Sequence, residues 1–169
     1  MSKWKAFYGV TLFLGLISAI LEVSLYRQTI ISVSIPLSII VLIGITAFIF
    51  NRKHYSKTYS TSGFFFPLFQ NIVSWGFLAS YLFIALNFYL APEKTTDHKF
   101  KIQAKDSMPA SGRSAKRVPL VDIDYFGFKK ELVFGYRDTE EVNKSDSVLV
   151  TVKKGPLGFD VIRSYSVFK

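Results

Sequence analysis

The sequence predicts an α+β membrane protein in which three transmembrane helices precede a small, five-stranded all-β domain. Apolar residues are gathered into three blocks within the first 91 positions, and the chain becomes polar and charged from Pro92 onward. Beyond Lys99 the apolar positions recur with a period of two, which is typical of strands. We therefore expect two domains, residues 1–91 in the membrane and residues 92–169 outside it.

Each apolar block is long enough to cross a bilayer, because about 20 apolar helical residues span a hydrocarbon core of roughly 30 Å. The blocks cover residues 6–26, 30–50 and 64–90. The first block follows Lys3 and Lys5, as the apolar region of a cleaved signal peptide would. However, it is longer than such regions and no small-residue cleavage motif follows it, so we expect a retained helix.

Charge and composition restrict the classes of function. Residues 1–91 carry 6 basic residues and one acid, and the remaining residues carry 15 basic residues and 11 acids. The net charge of +9 is thus divided between a membrane edge and a mildly basic domain, and we do not expect nucleic-acid binding. The chain contains no cysteine, which excludes disulfides and thiolate chemistry.

Short basic loops indicate the orientation, because Lys and Arg are retained in the cytoplasm. The predicted second loop, residues 51–63, carries Arg52, Lys53 and Lys57, whereas the first hairpin carries only Arg27. We therefore expect the N-terminus in the cytoplasm and the C-terminal domain outside. In a bacterium with two membranes the domain would lie in the periplasm.

Glu22 is the only carboxylate in the first 92 residues. It shares one helical face with Gly15, Ser18 and Ala19, a small-residue face suited to close helix packing. As an intramembrane acid it could be a proton or cation site, or a structural group near the outer membrane edge. We expect the structural role, because the predicted helices contain no second acid or histidine for a relay.

The third block contributes further polar side chains. Ser80 and Asn87 lie on one side of the predicted helix, and Gln70, Asn71, Ser74 and Tyr81 lie roughly on another. Hydrogen bonding between helices is the common use of such residues, and we expect it here. The candidate intramembrane polar site comprises Glu22, Ser18, Gln70, Asn71 and Ser74.

The soluble domain is predicted to be an OB-like or SH3-like barrel, or a sandwich, because five short strands follow one another closely. The strands are predicted at residues 99–104, 118–125, 128–134, 147–154 and 159–168. A two-residue turn at Phe126 and Gly127 would place Tyr125 opposite Phe128 and Ile123 opposite Lys130. A second turn is expected from Gly155 to Gly158, a flexible loop at residues 108–116, and a loop or one helical turn at residues 136–146.

Residues with catalytic potential lack partners in the sequence. Asp122 and Asp124 share a strand face, but no nucleophile or histidine accompanies them, so we expect a solvent face. His54 and His98 have no neighbours at ligand spacing, so we expect neither a metal site nor a cofactor.

The predicted function is therefore that of a non-enzymatic accessory or immunity-type protein of the bacterial inner membrane. Its β domain would bind a protein partner or a second copy of the chain. The sequence does not indicate which surface would do so. The alternative is a subunit of an oligomeric transporter or channel that uses Glu22.

Overall fold

The computed structural model describes residues 3–60, 63–109 and 116–168, which divide into two compact units. The helical unit contains residues 1–91 together with residues 155–161. The β unit contains residues 92–154 and 162–169. A segment from the last hairpin therefore groups with the helices, which the sequence did not indicate.

Three helices in the first unit are long and apolar enough to cross a membrane: α1 (Lys3–Gln28), α2 (Ser34–Tyr59) and α3 (Phe65–Tyr89). Helix α2 extends beyond its predicted end at residue 50, so the basic residues expected in a loop lie in its last turns. No proline or glycine interrupts residues 51–59, and the helix ends only where Ser60 adopts a left-handed conformation with φ of 52°.

Helix α3 lies between the other two. It is the most buried of the three, because it packs against both of the others. In its apolar 18-residue window 39% of the residues are buried, against 22% in the windows of α1 and α2. A π-helical turn, Ile72–Gly76, interrupts α3 between two α-helical segments. For the same reason, five of the polar residues predicted for this helix are buried and Tyr81 is half-buried; the buried ones are Gln70, Asn71, Ser74, Ser80 and Asn87.

Three glycines bring the helix backbones together at the π-helical turn. A Cβ on Gly15 of α1 would overlap the backbone of Val73, and a Cβ on Gly44 of α2 would lie 2.7 Å from the Cα of Ile72. A Cβ on Gly76 of α3 would lie 2.5 Å from the carbonyl oxygen of Ile40. We call Gly15, Gly44 and Gly76 the glycine layer, since only glycine permits this approach.

The antiparallel sheet has six strands, so the predicted count of five is wrong. The additional strand is β1 (Thr29–Ile30), which pairs with Val161 and Asp160 inside the helical unit. A two-residue strand carries no readable alternation, and its partner lies far along the chain. The strand order is β1-β6-β5-β2-β3-β4.

The other five strands correspond to the five predicted ones with changed ends. They are β2 (Thr95–Pro109), β3 (Arg117–Tyr125), β4 (Phe128–Val133), β5 (Ser147–Lys154) and β6 (Asp160–Phe168). Between β4 and β5 lie a 3-10 turn, Tyr136–Asp138, and the short helix α4 (Thr139–Lys144). The register predicted for the β3–β4 hairpin is confirmed, with Tyr125 opposite Phe128 and Ile123 opposite Lys130.

Strand β2 is longer than predicted because it pairs with two neighbours. Its first half pairs with β5 and its second half with β3, and the register shifts between Ile102 and Ala104. Such an irregularity bends a strand and helps the sheet curl into a nearly closed barrel. Met108 and Pro109, expected in a loop, belong to β2, and residues 110–115 of that predicted loop lie outside the described residues.

The interior of the β unit is formed by alternate residues of β3, β4 and β5. Val121, Ile123, Leu132, Val148 and Val150 are almost fully buried. Strand β6 contributes Tyr165, whose hydroxyl donates a hydrogen bond to the carbonyl of Val133 at 2.5 Å. Its ring packs on Phe134, so a side chain links β6 to the end of β4.

Candidate functional site in the helical unit

Glu22 and Ser80 together link all three helices. It is 8% exposed, and its Oε1 accepts a hydrogen bond from the Ser80 hydroxyl of α3 at 2.5 Å. The same hydroxyl lies 3.5 Å from the Pro36 carbonyl of α2. Within the described residues, Glu22 Oε2 has no hydrogen-bond partner. The carboxyl group is therefore held at one oxygen, and its other oxygen is buried without a bond.

A second polar cluster lies near the start of α1. The Gln70 amide donates hydrogen bonds to the Tyr8 carbonyl at 2.9 Å and to the Ser74 hydroxyl at 3.1 Å. The Tyr8 hydroxyl lies 3.3 Å from Nδ1 of His54, whose ring also packs on Trp4. His54 thus takes part in aromatic packing, and no metal-holding group of His, Asp or Glu occurs in the described part of the chain.

Asn71 connects α3 to α2 instead of α1. Its amide donates to the Pro67 carbonyl at 2.8 Å, and its Oδ1 accepts from Asn51 of α2 at 3.1 Å. Together with the bonds of Gln70 and Ser80, these are the interhelical hydrogen bonds that the polar residues predicted. Asn51 itself lies on the part of α2 that the sequence placed in a loop.

The five residues of the predicted site do not form one cluster. Gln70 bonds with both Tyr8 and Ser74, whereas Glu22 bonds with Ser80. Tyr8 and Glu22 are separated by about 21 Å along α1, at 1.5 Å per residue. Gly15, in the glycine layer, lies midway between them, and Ser18 is buried one turn from Glu22.

A further functional contact, which the sequence did not reveal, involves Asn87 near the end of α3. Asn87 is 1% exposed; its Oδ1 accepts from the Leu157 N–H at 3.1 Å, and its amide donates to the Phe159 carbonyl at 3.0 Å. A Cβ on Gly155 would overlap the Asn87 side chain. We call residues 155–159 the docked turn, because one asparagine binds its backbone at two points.

Aromatic and strand contacts extend this attachment. The ring of Phe159 packs edge-on against Phe83 of α3, with centroids 6.0 Å apart. Strand β1 continues directly from α1 and pairs with the residues that follow the docked turn. The Thr29 hydroxyl donates to the Leu25 carbonyl at 2.9 Å, which fixes the junction between α1 and β1. No pattern in the sequence links GPLGF to an asparagine in α3.

No protein-family model, curated protein or solved structure matches the chain. The geometry of the helical unit indicates what its buried polar groups can do. Glu22 is a carboxyl group able to bind or release a proton. Gln70, Asn71 and Ser80 form hydrogen bonds to other helices, and Asn87 binds the docked turn.

Proposed function

We propose that the chain is a non-enzymatic integral protein of the bacterial inner membrane whose extracytoplasmic β domain binds a protein partner. The helices would anchor and position that domain. The observation that carries the proposal is the glycine layer, which lies between the two polar clusters of the helical unit.

A transport path through one copy would need polar groups and space along the helices. At the glycine layer the backbones are so close that a single added carbon would overlap a neighbouring helix. The side chains on either side are engaged with one another, Gln70 with Tyr8 and Glu22 with Ser80. This packing favours an anchor over a conduit.

The docked turn also supports a positioning role. Its backbone is bound by Asn87 in the helical unit, and the chain enters and leaves this segment directly from strands β5 and β6. This contact lies inside the helical unit and holds the turn against α3.

Orientation is part of the proposal, with the N-terminus in the cytoplasm. The ammonium group of Lys5 lies 6.0 Å from the centre of the Tyr59 ring, which places the basic start of α1 beside the basic end of α2. Two basic segments at one edge favour a cytoplasmic edge. In intact spheroplasts a membrane-impermeant maleimide should label Ser166→Cys and not Ser60→Cys, and the reverse pattern would invert the orientation.

Co-purification and flux measurements test the function together. The full chain, extracted from its own membranes in mild detergent, should retain one partner protein at constant stoichiometry. Purified and reconstituted in vesicles, it should pass protons and potassium no faster than protein-free vesicles. A flux that Glu22→Gln abolishes would replace the proposal with a transport function.

The transport alternative rests on one specific observation, the buried Oε2 of Glu22 without a bond among the described residues. In the structural role, Glu22→Gln should retain normal abundance and partner binding, because Gln can still accept a hydrogen bond from Ser80. Glu22→Leu should cost about 1–3 kcal/mol, because Ser80 loses its acceptor. Ser80→Ala is the matched control, since it removes the same bond from the other side. In a transporter, Gln would be as damaging as Leu.

A further inference from the structure

Five of the six basic residues in the first 91 positions lie at one end of the helical unit. They are Lys3 and Lys5 at the start of α1 and Arg52, Lys53 and Lys57 in the last turns of α2. These two segments are in contact, since the rings of Trp4 and His54 have centroids 3.9 Å apart. The sixth basic residue, Arg27, lies at the other end of α1.

The carboxylates of the helical unit lie far from this basic end. They belong to Glu22 and Asp160. Glu22 follows Lys5 by 17 residues, which is about 26 Å along the helix. Asp160 pairs with Ile30, beyond the far end of α1. The positive charge at the basic end is therefore not balanced by acids of the helical unit.

The three basic residues of α2 share one side of the helix with a serine. Arg52 and Ser56 are four residues apart, as are Lys53 and Lys57, so the four side chains form two adjacent rows. The basic residues are exposed and Ser56 is half-buried. Another side of the same turns packs on α1 through the buried ring of Tyr55. We call Arg52, Lys53, Ser56 and Lys57 the basic face.

Two aromatic rings hold Arg52 in place. Its guanidinium carbon lies 5.7 Å from the centre of the Phe48 ring and 5.6 Å from that of Phe64, at the start of α3. The two rings pack edge-on, with centroids 4.9 Å apart. Among the described residues, the guanidinium has no hydrogen-bond acceptor. An arginine held on rings in this way presents its N–H groups to a phosphate, which it can bind through two parallel hydrogen bonds.

The line of α2 that leads to the basic face is apolar and exposed. Leu42, Ile49 and Phe50 are 65%, 66% and 80% exposed and, with Thr46, follow the helical spacing that continues at Lys53. The Thr46 hydroxyl is satisfied by the Leu42 carbonyl at 2.7 Å. One side of the helix thus changes from apolar side chains to cations. A phospholipid presents its acyl chains and its phosphate in the same order, whereas a free phosphate or an acidic peptide would use only the cations.

We infer that the basic face binds the phosphate of an anionic phospholipid, with an acyl chain along the apolar line of α2. The face lies about 3–11 Å beyond Phe50, and the headgroup region extends roughly 5–8 Å beyond the hydrocarbon core. A phosphate would supply the acceptor for Arg52 and relieve the repulsion between Lys53 and Lys57. The site belongs to the helical unit alone and does not depend on the membrane orientation or on the partner of the β domain.

Lipid titration of the purified chain measures this binding. The full chain, delipidated in a non-ionic detergent, is titrated with phosphatidylglycerol or phosphatidylcholine and its complexes are counted by native mass spectrometry. Phosphatidylglycerol should bind more tightly, and added salt should weaken it. The triple variant Arg52→Gln, Lys53→Gln, Lys57→Gln should bind phosphatidylglycerol at least about tenfold more weakly than the wild type.

A charge-matched variant separates the basic face from overall charge. Lys3→Gln, Lys5→Gln, Arg27→Gln removes three positive charges at exposed positions outside the face and should retain the wild-type affinity. An equal loss in both triple variants would overturn the inference. If the first triple variant does not fold, Lys53→Gln, Lys57→Gln keeps Arg52 on its rings and should still weaken binding. Unchanged affinity in that double variant would equally overturn the inference.

Photo-crosslinking identifies the occupant of the face in the native membrane. Benzoylphenylalanine placed at position 56 of the full chain should form adducts with phospholipid. Protein adducts alone would assign the face to a partner protein, and equal affinity for the two lipids would remove the preference for an anion. Inorganic phosphate that competes fully at the same concentration would show that the apolar line is not used. Each of these results overturns the lipid site and leaves the proposed function of the β domain standing.

Discussion

Two hairpin turns within the described residues, the docked turn and the β3–β4 turn, differ in what holds them. In the docked turn, the backbone of Leu157 and Phe159 bonds to Asn87 and the ring of Phe159 packs on α3. In the β3–β4 turn, the backbone is closed by its own Asp124, and the apolar ring of Phe126 projects into solvent. One turn is bonded to a distant helix, and the other is closed by its own residues and leaves an aromatic ring exposed.

The two turns need glycine for different reasons, and this difference distinguishes the hydrogen-bonded turn from the exposed one. Glycine at position 155 is needed because a neighbouring side chain occupies the space of a Cβ. Among the described residues, no atom beyond its two chain neighbours lies within 4 Å of a Cβ added to Gly127, so glycine is needed there only for its positive φ. The need for glycine at position 155 comes from a contact with another side chain, whereas the need at position 127 comes only from the backbone conformation.

The largest effect is expected at Asn87. Asn87→Leu retains the approximate volume but leaves the Leu157 N–H and the Phe159 carbonyl without their bonds, at about 1–3 kcal/mol for each buried group. We expect the free energy of unfolding to fall by about 2–6 kcal/mol and proteolysis to begin within the docked turn. Asn143→Leu, at an exposed position, is the control. Equal stability of the two variants would show that the turn is not held by Asn87.

The β3–β4 hairpin also differs from the docked turn in carrying a buried ionisable side chain. Lys130 faces the interior beside Leu132, and burial lowers its pKa to about 8 from an ordinary value of 10.5, with the neighbouring Glu131 offsetting part of the shift. Below pH 8 both folded and unfolded chains are protonated, and the cost of burying the charge is fully present. Between pH 8 and 10.5 only the unfolded chain retains the proton, so stability rises with pH.

The shift in the pKa of Lys130 sets the size of this rise in stability. The rise should total about 3 kcal/mol, since one pKa unit corresponds to 1.36 kcal/mol. Lys130→Met should be more stable than the wild type near pH 7, and the difference should shrink as the pH approaches 10.5. Denaturant titrations of both chains at several pH values measure it. A difference independent of pH would show that Lys130 is not deprotonated in the folded chain.

The smallest effects on stability are expected at Gly155 and Gly127. Gly155→Ala displaces the Asn87 side chain and should cost about 1–3 kcal/mol by overpacking. Gly127→Ala has space but an unfavourable φ, and should cost about 1 kcal/mol. In combination with Asn87→Ala, the cost of Gly155→Ala should largely disappear, whereas that of Gly127→Ala should persist. Strict additivity in both double variants would remove the distinction between the turns.

Local pattern predicted a large part of the fold. Apolar length gave three helices, and alternation with turn residues gave the register of the β3–β4 hairpin, because both signals lie within a few neighbouring residues. The spacing of Gly15, Ser18 and Glu22 gave the buried face of α1 for the same reason.

Contacts between distant segments could not be predicted in this way. The π-helical turn lies where Gly15 and Gly44 approach from two other helices, and strand β1 pairs with residues near the end of the chain. The candidate site was grouped by residue type, which placed Glu22 with Gln70. The structure separates them because the start of α1 lies beside the start of α3, and Glu22 lies two turns beyond Gly15.

The docked turn has a consequence for the order of assembly during synthesis. Asn87 and the Phe159 carbonyl that it binds are 72 residues apart. At about 5–20 residues per second, a ribosome needs roughly 4–14 s to make that interval. During this time α3 already carries an asparagine without its partner, and β1 has no strand to pair with. The helical unit is therefore completed only after the C-terminal hairpin has been synthesised, so chains truncated before Gly155 would leave this unit without its last segment.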